Sequence, residues 1–91
     1  LKLIHNGSAG RTLAMLLETY EPGATTGDKI RHPGEETGTL LEGKILLTVN
    51  GQSWQLQAGE SYVIDTSHPH SFTNNSTMRC RIVSAHTPAT F

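Results

Sequence analysis

A single cysteine, Cys80, stands in 91 residues, so no disulfide can form within the chain. A lone thiol fits a reducing compartment, which makes a cytoplasmic setting the expectation. Long apolar runs are missing too. The longest, Leu13 to Leu17, falls far short of the ~20 residues that a membrane-spanning helix requires. Neither sign of charge dominates. Seven Lys and Arg against eight Asp and Glu leave a formal net charge of −1, so nothing drives electrostatic binding to nucleic acid or to an anionic membrane. No secretory leader is visible, an initiator Met is lacking, and the chain begins on an apolar segment. Together these features suggest a piece cut from a longer protein.

What the chain has in quantity is punctuation. Gly or Pro recurs at Gly7, Gly10, Pro22-Gly23, Gly27, Pro33-Gly34, Gly43, Gly51, Gly59 and Pro69. That rhythm predicts closely spaced short strands and leaves little room for a long helix. Arg11 to Tyr20 has some helix-forming residues, but Leu13, Met15 and Leu17 alternate, which predicts a strand with those three on one face. Ile45, Leu47 and Val49 alternate with Lys44, Thr48 and Asn50, and Leu46 is the exception. Asn50-Gly51 predicts a hairpin, since both central residues of a type I′ turn need positive φ. Trp54 and Leu56 continue on the return strand. Ser61–Asp65, His70–Asn74 and Met78–His86 complete the set. Many short antiparallel strands close into a double-sheet jelly roll or small barrel, which removes exposed edges. A chain of this size is one domain, 1–91, and buries roughly 60–65% of its unfolded surface, so a partner would help its stability.

Two segments carry the candidate chemistry. His32 and Glu36 flank Pro33-Gly34, and period-two counting places them on one face of an extended chain. His70 follows Pro69 on a separate strand. Glu42, Gly38 and Leu40 share the parity of Glu36, whereas Glu35 points the other way. Tyr62 can offer a phenol to a ligand or fill the core with its hydroxyl at the rim. Gly38, without a side chain on the Glu36 face, can leave volume for a ligand or mark a strand bend. Trp54 and Phe72 read as core. His68 reads as free, and His5 and His86, near the termini, read as structural or exposed. Ser67-His68 and His70-Ser71 diverge as neighbours on a strand, so no nucleophile–base pair is formed.

The spacing Gly27…His32-x3-Glu36-x6-Gly43, followed by Gly59-x10-His70-x3-Asn74, resembles the two signatures of the cupin family. The resemblance implies a double-stranded β-helix with His32, Glu36 and His70 facing one cavity. It also implies a metal held by His-x-His-x3-Glu and a later His. Here His32, Glu36 and His70 occupy three of those positions, and Ile30 occupies the fourth. Two His and one carboxylate match a facial triad for iron, nickel or zinc, so a divalent metal is conceivable but not required. Asp65 and Ser67 replace the Pro and Gly usual in the second signature.

Further stretches resemble a particular cupin subgroup. They are His32-Pro-Gly-Glu-Glu36, Leu41-Glu-Gly43, Leu56-Gln-Ala-Gly-Glu-Ser61, His68-Pro-His-Ser-Phe72 and Ser84-Ala-His-Thr-Pro-Ala-Thr-Phe91. In that subgroup an N-terminal helix-turn-helix domain reads DNA and a C-terminal cupin senses a small molecule, and within it the chain is most similar to repressors of putrescine utilisation. The resemblance implies a non-enzymatic, homodimeric, putrescine-sensing domain whose DNA-binding half lies elsewhere, with His32, Glu36, His70, Tyr62 and Glu42 as ligand-contacting residues. A charge-assisted hydrogen bond from an ammonium to Glu36 would contribute about 1.5–3 kcal/mol, and Glu42, Asp65 or a neutral His could hold the second ammonium. Four buried methylenes would add roughly 3 kcal/mol. The alternatives are a small cupin metalloenzyme, such as a dioxygenase or isomerase, and a cupin kept mainly for dimerisation.

Overall fold

The computed structural model describes residues 2–3, 12–27 and 30–88. His5, Gly7, Gly10 and Arg11 lie outside them. Eight strands follow in order: β1 (Lys2–Leu3), β2 (Ala14–Tyr20), β3 (Glu35–Glu42), β4 (Lys44–Val49), β5 (Gln52–Gln57), β6 (Ser61–Asp65), β7 (His70–Thr73) and β8 (Cys80–Thr87). They form two antiparallel sheets. One has the order β1-β2-β8-β3-β6 and the other β5-β4-β7. This is the predicted jelly roll.

Alternation builds the core between the sheets. Cys80, Ile82, Ser84 and His86 on β8 are all buried, and the residues between them are half-exposed. Leu40, Ile45, Leu47, Ile64 and Phe72 fill the space across from Ile82. Asn50 and Gly51 both take positive φ, 51° and 85°, which is the backbone that a two-residue hairpin turn requires.

Two predicted placements, of Trp54 and Glu42, are corrected, and the inward face of β2 is settled. β2 is a strand with Leu13, Met15 and Leu17 on one face, as expected, and the opposite face packs inward. Ala14, Leu16 and Tyr20 are buried, whereas Leu13 and Met15 are 56% and 38% exposed. Leu13, Met15 and Leu17 therefore line the outer face of the large sheet. Trp54 is 47% exposed, because β5 is an edge strand and its ring sits in the mouth between β5 and β6 beside Val49 and Val63. In β3, period-two counting fails after Leu40. A bulge sets Leu40 opposite Ile82 but Glu42 opposite Arg81, so Glu42 joins the outward face of β8. Gly43 follows at φ 78°, with its Cα packed so closely on the Arg79 carbonyl that a Cβ would collide with it.

Candidate functional site

One cavity of about 180 Å³ opens between the sheets at the end that holds His32, Glu36 and His70. Three of the five predicted ligand-contacting residues thus share a wall. Glu36 enters from β3 and is only 5% exposed. His86 lies directly opposite it on β8, so the two side chains face the same way, with His86 Nδ1 3.6 Å from Glu36 Oε1. Tyr62 pairs with Gly38 across β6, diagonal to Glu36. Its hydroxyl donates to Glu36 Oε2 at 2.5 Å.

Between β2 and β3, residues 23–26 and Ile30 lie along β7 and its flank. Gly23 donates to the Asn74 carbonyl, Thr26 to that of Phe72, and His70 to that of Ile30. His32 is held by its own N–H, which donates to the Thr66 carbonyl at 2.9 Å. The His32 and His70 rings meet edge-on, 5.6 Å apart. His70 Nδ1 lies 2.9 Å from the His68 carbonyl. A carbonyl only accepts, so Nδ1 carries the proton and Nε2 is the acceptor of the neutral ring. Leu16, Ile30 and Phe72 supply hydrocarbon wall.

Electrostatics follow from burial. Burial pushes the Glu36 carboxyl up to about 7 from an ordinary 4.5, and the charge of Glu18 adds to that push, while the Tyr62 hydrogen bond opposes it. Burial holds the His86 imidazole below its usual range, with His32 and His70 reinforcing the effect. Burial and the neighbouring Glu36 raise the Tyr62 phenol.

Other predicted residues stand elsewhere. Glu42 is outside the cavity, accepting from Arg79 Nε at 3.0 Å on the surface. The bulge that turns it outward is the reason. Asp65 is exposed and accepts from the Ser67 backbone N–H and hydroxyl. Tyr62 stands behind Glu36 and not in the cavity wall. The space opened by Gly38 is taken by the Tyr62 ring, since a Cβ there would lie on the phenol. Asn74, wholly buried, donates its amide to the Tyr20 and Met78 carbonyls at 2.9 and 2.8 Å and accepts from Ser76. It ties loops together and does not face the pocket. His68 is on the surface, 3.8 Å from Asp65.

Two cavity residues escape the sequence reading. His86 sits near the terminus and reads as structural or exposed, although Cys80, Ile82 and Ser84 share its phase. Glu18 follows the phase of β2, since counting from Leu13 puts it outside and counting from Leu16 puts it inside. Its Oε2 accepts from the Tyr20 hydroxyl at 2.9 Å.

The donor set does not fit the metal that the cupin signatures imply. Among the described residues no three His, Cys, Asp or Glu side chains are grouped to hold a metal ion. One oxygen of Glu36 is taken by Tyr62, the other lies beside His86, and Ile30 contributes only hydrocarbon. No helix among the described residues is long and apolar enough to cross a membrane.

All 91 residues align at 63% identity with the HTH-type transcriptional regulator PuuR of Escherichia coli (strain K12), and equally with that of Shigella flexneri. The match takes 49% of each relative, its C-terminal part, so the chain spans about half the length of the curated relatives it matches. Among solved structures, TT1209 from Thermus thermophilus superposes with a TM-score of 0.83 at 16% identity, over 96% of this chain and 80% of that one. An oxalate oxidase in complex with glycolate superposes at 0.75 and 22% identity, over 85% and 42%. Both likenesses are of fold. The cupin domain family matches residues 16–86, and with the two-sheet architecture and both spaced signatures in place, the chain belongs to the cupin family.

Proposed function

We propose that the chain is the ligand-sensing domain of a transcriptional repressor and that its cavity takes putrescine or a related small diamine. One observation carries the reading: the buried carboxylate of Glu36 faces a cavity whose wall, among the described residues, has no Lys or Arg. An uncompensated buried carboxylate is costly, and an ammonium ligand supplies the missing charge. At about 180 Å³ the cavity is below the ~300–1,000 Å³ usual for drug-sized ligands, which favours a ligand of a few heavy atoms. The similarity to PuuR supports the regulatory context. Within a regulator the ligand acts by binding one conformational state more tightly than the other.

We also propose a homodimer formed through the outer face of the large sheet. Met15, Ala85, Thr37 and Val63 form one row across four strands, and Leu17, Val83, Thr39 and Ser61 the next. Over these four strands neither row carries a charge, and on β1 the register sets Lys2 beside Leu17. Sedimentation at micromolar concentration should show a dimer that Met15→Lys dissociates. A monomer at all concentrations contradicts this assembly.

The decisive experiment is calorimetric titration of metal-stripped protein with putrescine, with metal content measured in parallel. Saturable binding without metal supports the sensor. Stoichiometric metal with an oxidase or isomerase activity replaces it with the metalloenzyme reading.

A further inference from the structure

We infer that Glu18 is a second anionic anchor of the cavity, which with Glu36 selects a linear diammonium ion over a monoamine. This rests on the amine-binding reading and adds to it the residue that sets specificity. β2 and β3 flank β8, so Glu18 and Glu36 reach the cavity from strands on either side of it. The Tyr20 hydroxyl, two residues along the same face of β2, donates to Glu18 Oε2 and fixes the carboxylate in place. The charge of Glu18 acts on its surroundings, helping to raise Glu36, Tyr20 and Tyr62.

The lining residues offer no fixed cation in return. Among the described residues the cavity wall holds His32, His70 and His86 but no Lys or Arg, and the His86 imidazole is held toward its neutral form. His70, with Nδ1 bound to the His68 carbonyl, presents an acceptor when neutral. Leu16, Ile30 and Phe72 line the same cavity as the two acids. Acid, hydrocarbon and acid in one narrow space complement an ion with two ammonium ends joined by a methylene stem. A monoamine satisfies only one of the acids.

The test compares butane-1,4-diamine with butylamine by calorimetry at pH 8 in the parent protein, Glu18→Gln, Glu36→Gln and Tyr20→Phe. The parent should prefer the diamine by about 10-fold or more, and Glu18→Gln should cut diamine affinity by roughly 10- to 150-fold while leaving butylamine within about twofold. Glu36→Gln should weaken both amines. Tyr20→Phe retains the acid without its orienting hydroxyl and should erode the diamine preference alone, which also covers the case of a Glu18 variant that folds poorly. Unchanged diamine binding in both β2 variants, or equal loss of both amines in Glu18→Gln, overturns the role of Glu18. Equal affinity of the parent for both amines, with Glu36→Gln still weakening them, overturns Glu18 and leaves the amine site standing. A parent that binds neither amine overturns both readings.

Discussion

Tyr62 donates its hydroxyl to Glu36 across two strands, at 2.5 Å, and Gly38 is the residue that makes this contact feasible. Tyr62 and Gly38 are cross-strand partners. With no side chain at position 38, the phenol lies flat over the backbone and reaches the acid one step further along. A buried carboxylate thus gains one donor but remains in an environment that disfavours its charge.

Glu36→Gln should change how stability depends on pH. The carboxyl titrates near 7 in the fold against 4.5 ordinarily. A raised value means that the neutral acid supports the fold below pH 4.5, and that this support is lost as pH rises through about 7. Gln cannot ionise. Parent and variant should therefore match near pH 4, and the variant should be more stable by roughly 2–3 kcal/mol at pH 8.5. Urea unfolding at the two pH values measures the gap, and a gap that does not grow with pH contradicts the assignment. His86, shifted downward, contributes with the opposite sign, present above 6.5 and lost as pH falls.

Gly38→Ala should be poorly tolerated despite adding a single methyl. Its Cβ would meet the Tyr62 hydroxyl and ring at 2.5–2.7 Å. Overpacking of this kind costs about 1–3 kcal/mol. The displaced phenol would also withdraw its bond from Glu36, so amine affinity should change together with the melting temperature. Glycine to alanine with no effect on either would place the ring elsewhere.

Asn74→Ala should separate stability from binding. The amide satisfies two carbonyls and accepts two bonds from Ser76, and losing a buried partner of this kind costs about 1–3 kcal/mol. Asn74 is not part of the cavity wall. Denaturant midpoints should fall while amine affinity in the folded protein stays within about twofold. Loss of binding in a well-folded Asn74→Ala would assign it a direct contact.

Glu42→Gln should leave amine affinity unaltered, as its carboxylate pairs with Arg79 on the surface. Exposed pairs of this type contribute at most about 1 kcal/mol. A marked drop in affinity measured by the same titration would return Glu42 to the site.

Most of the strands were legible in the chain because turn residues mark their boundaries, as Asn50-Gly51 shows, whereas β1 and the order of strands in each sheet were not. His32, Glu36 and His70 were legible because fixed spacings along short strands carry them to one end of the barrel. Side-chain phase was less so. Leu13, Met15 and Leu17 form as regular an apolar series as Ala14, Leu16 and Tyr20, and only packing on β8 decides which face is inside. That one ambiguity hid Glu18. Glu42 was misplaced because a bulge depends on the register with β8, which neighbouring residues in the chain do not encode.

The bulge after Leu40 has a bearing on which chain lengths this fold can accept. Upstream, Leu40 is locked opposite Ile82 in the core. Downstream, Gly43 is pressed against the Arg79 carbonyl. Between these fixed points the chain has no slack, so deleting Leu41 would pull Glu42 toward the interior or tear Gly43 from its seat. An insertion at Asn50-Gly51 meets neither obstacle, since that turn projects into open space. The six-residue interval between Glu36 and Gly43 is thus a mechanical length, set by two packed ends and one extra residue. Length variants on this scaffold should be accepted at the hairpin tip and rejected between Leu40 and Gly43.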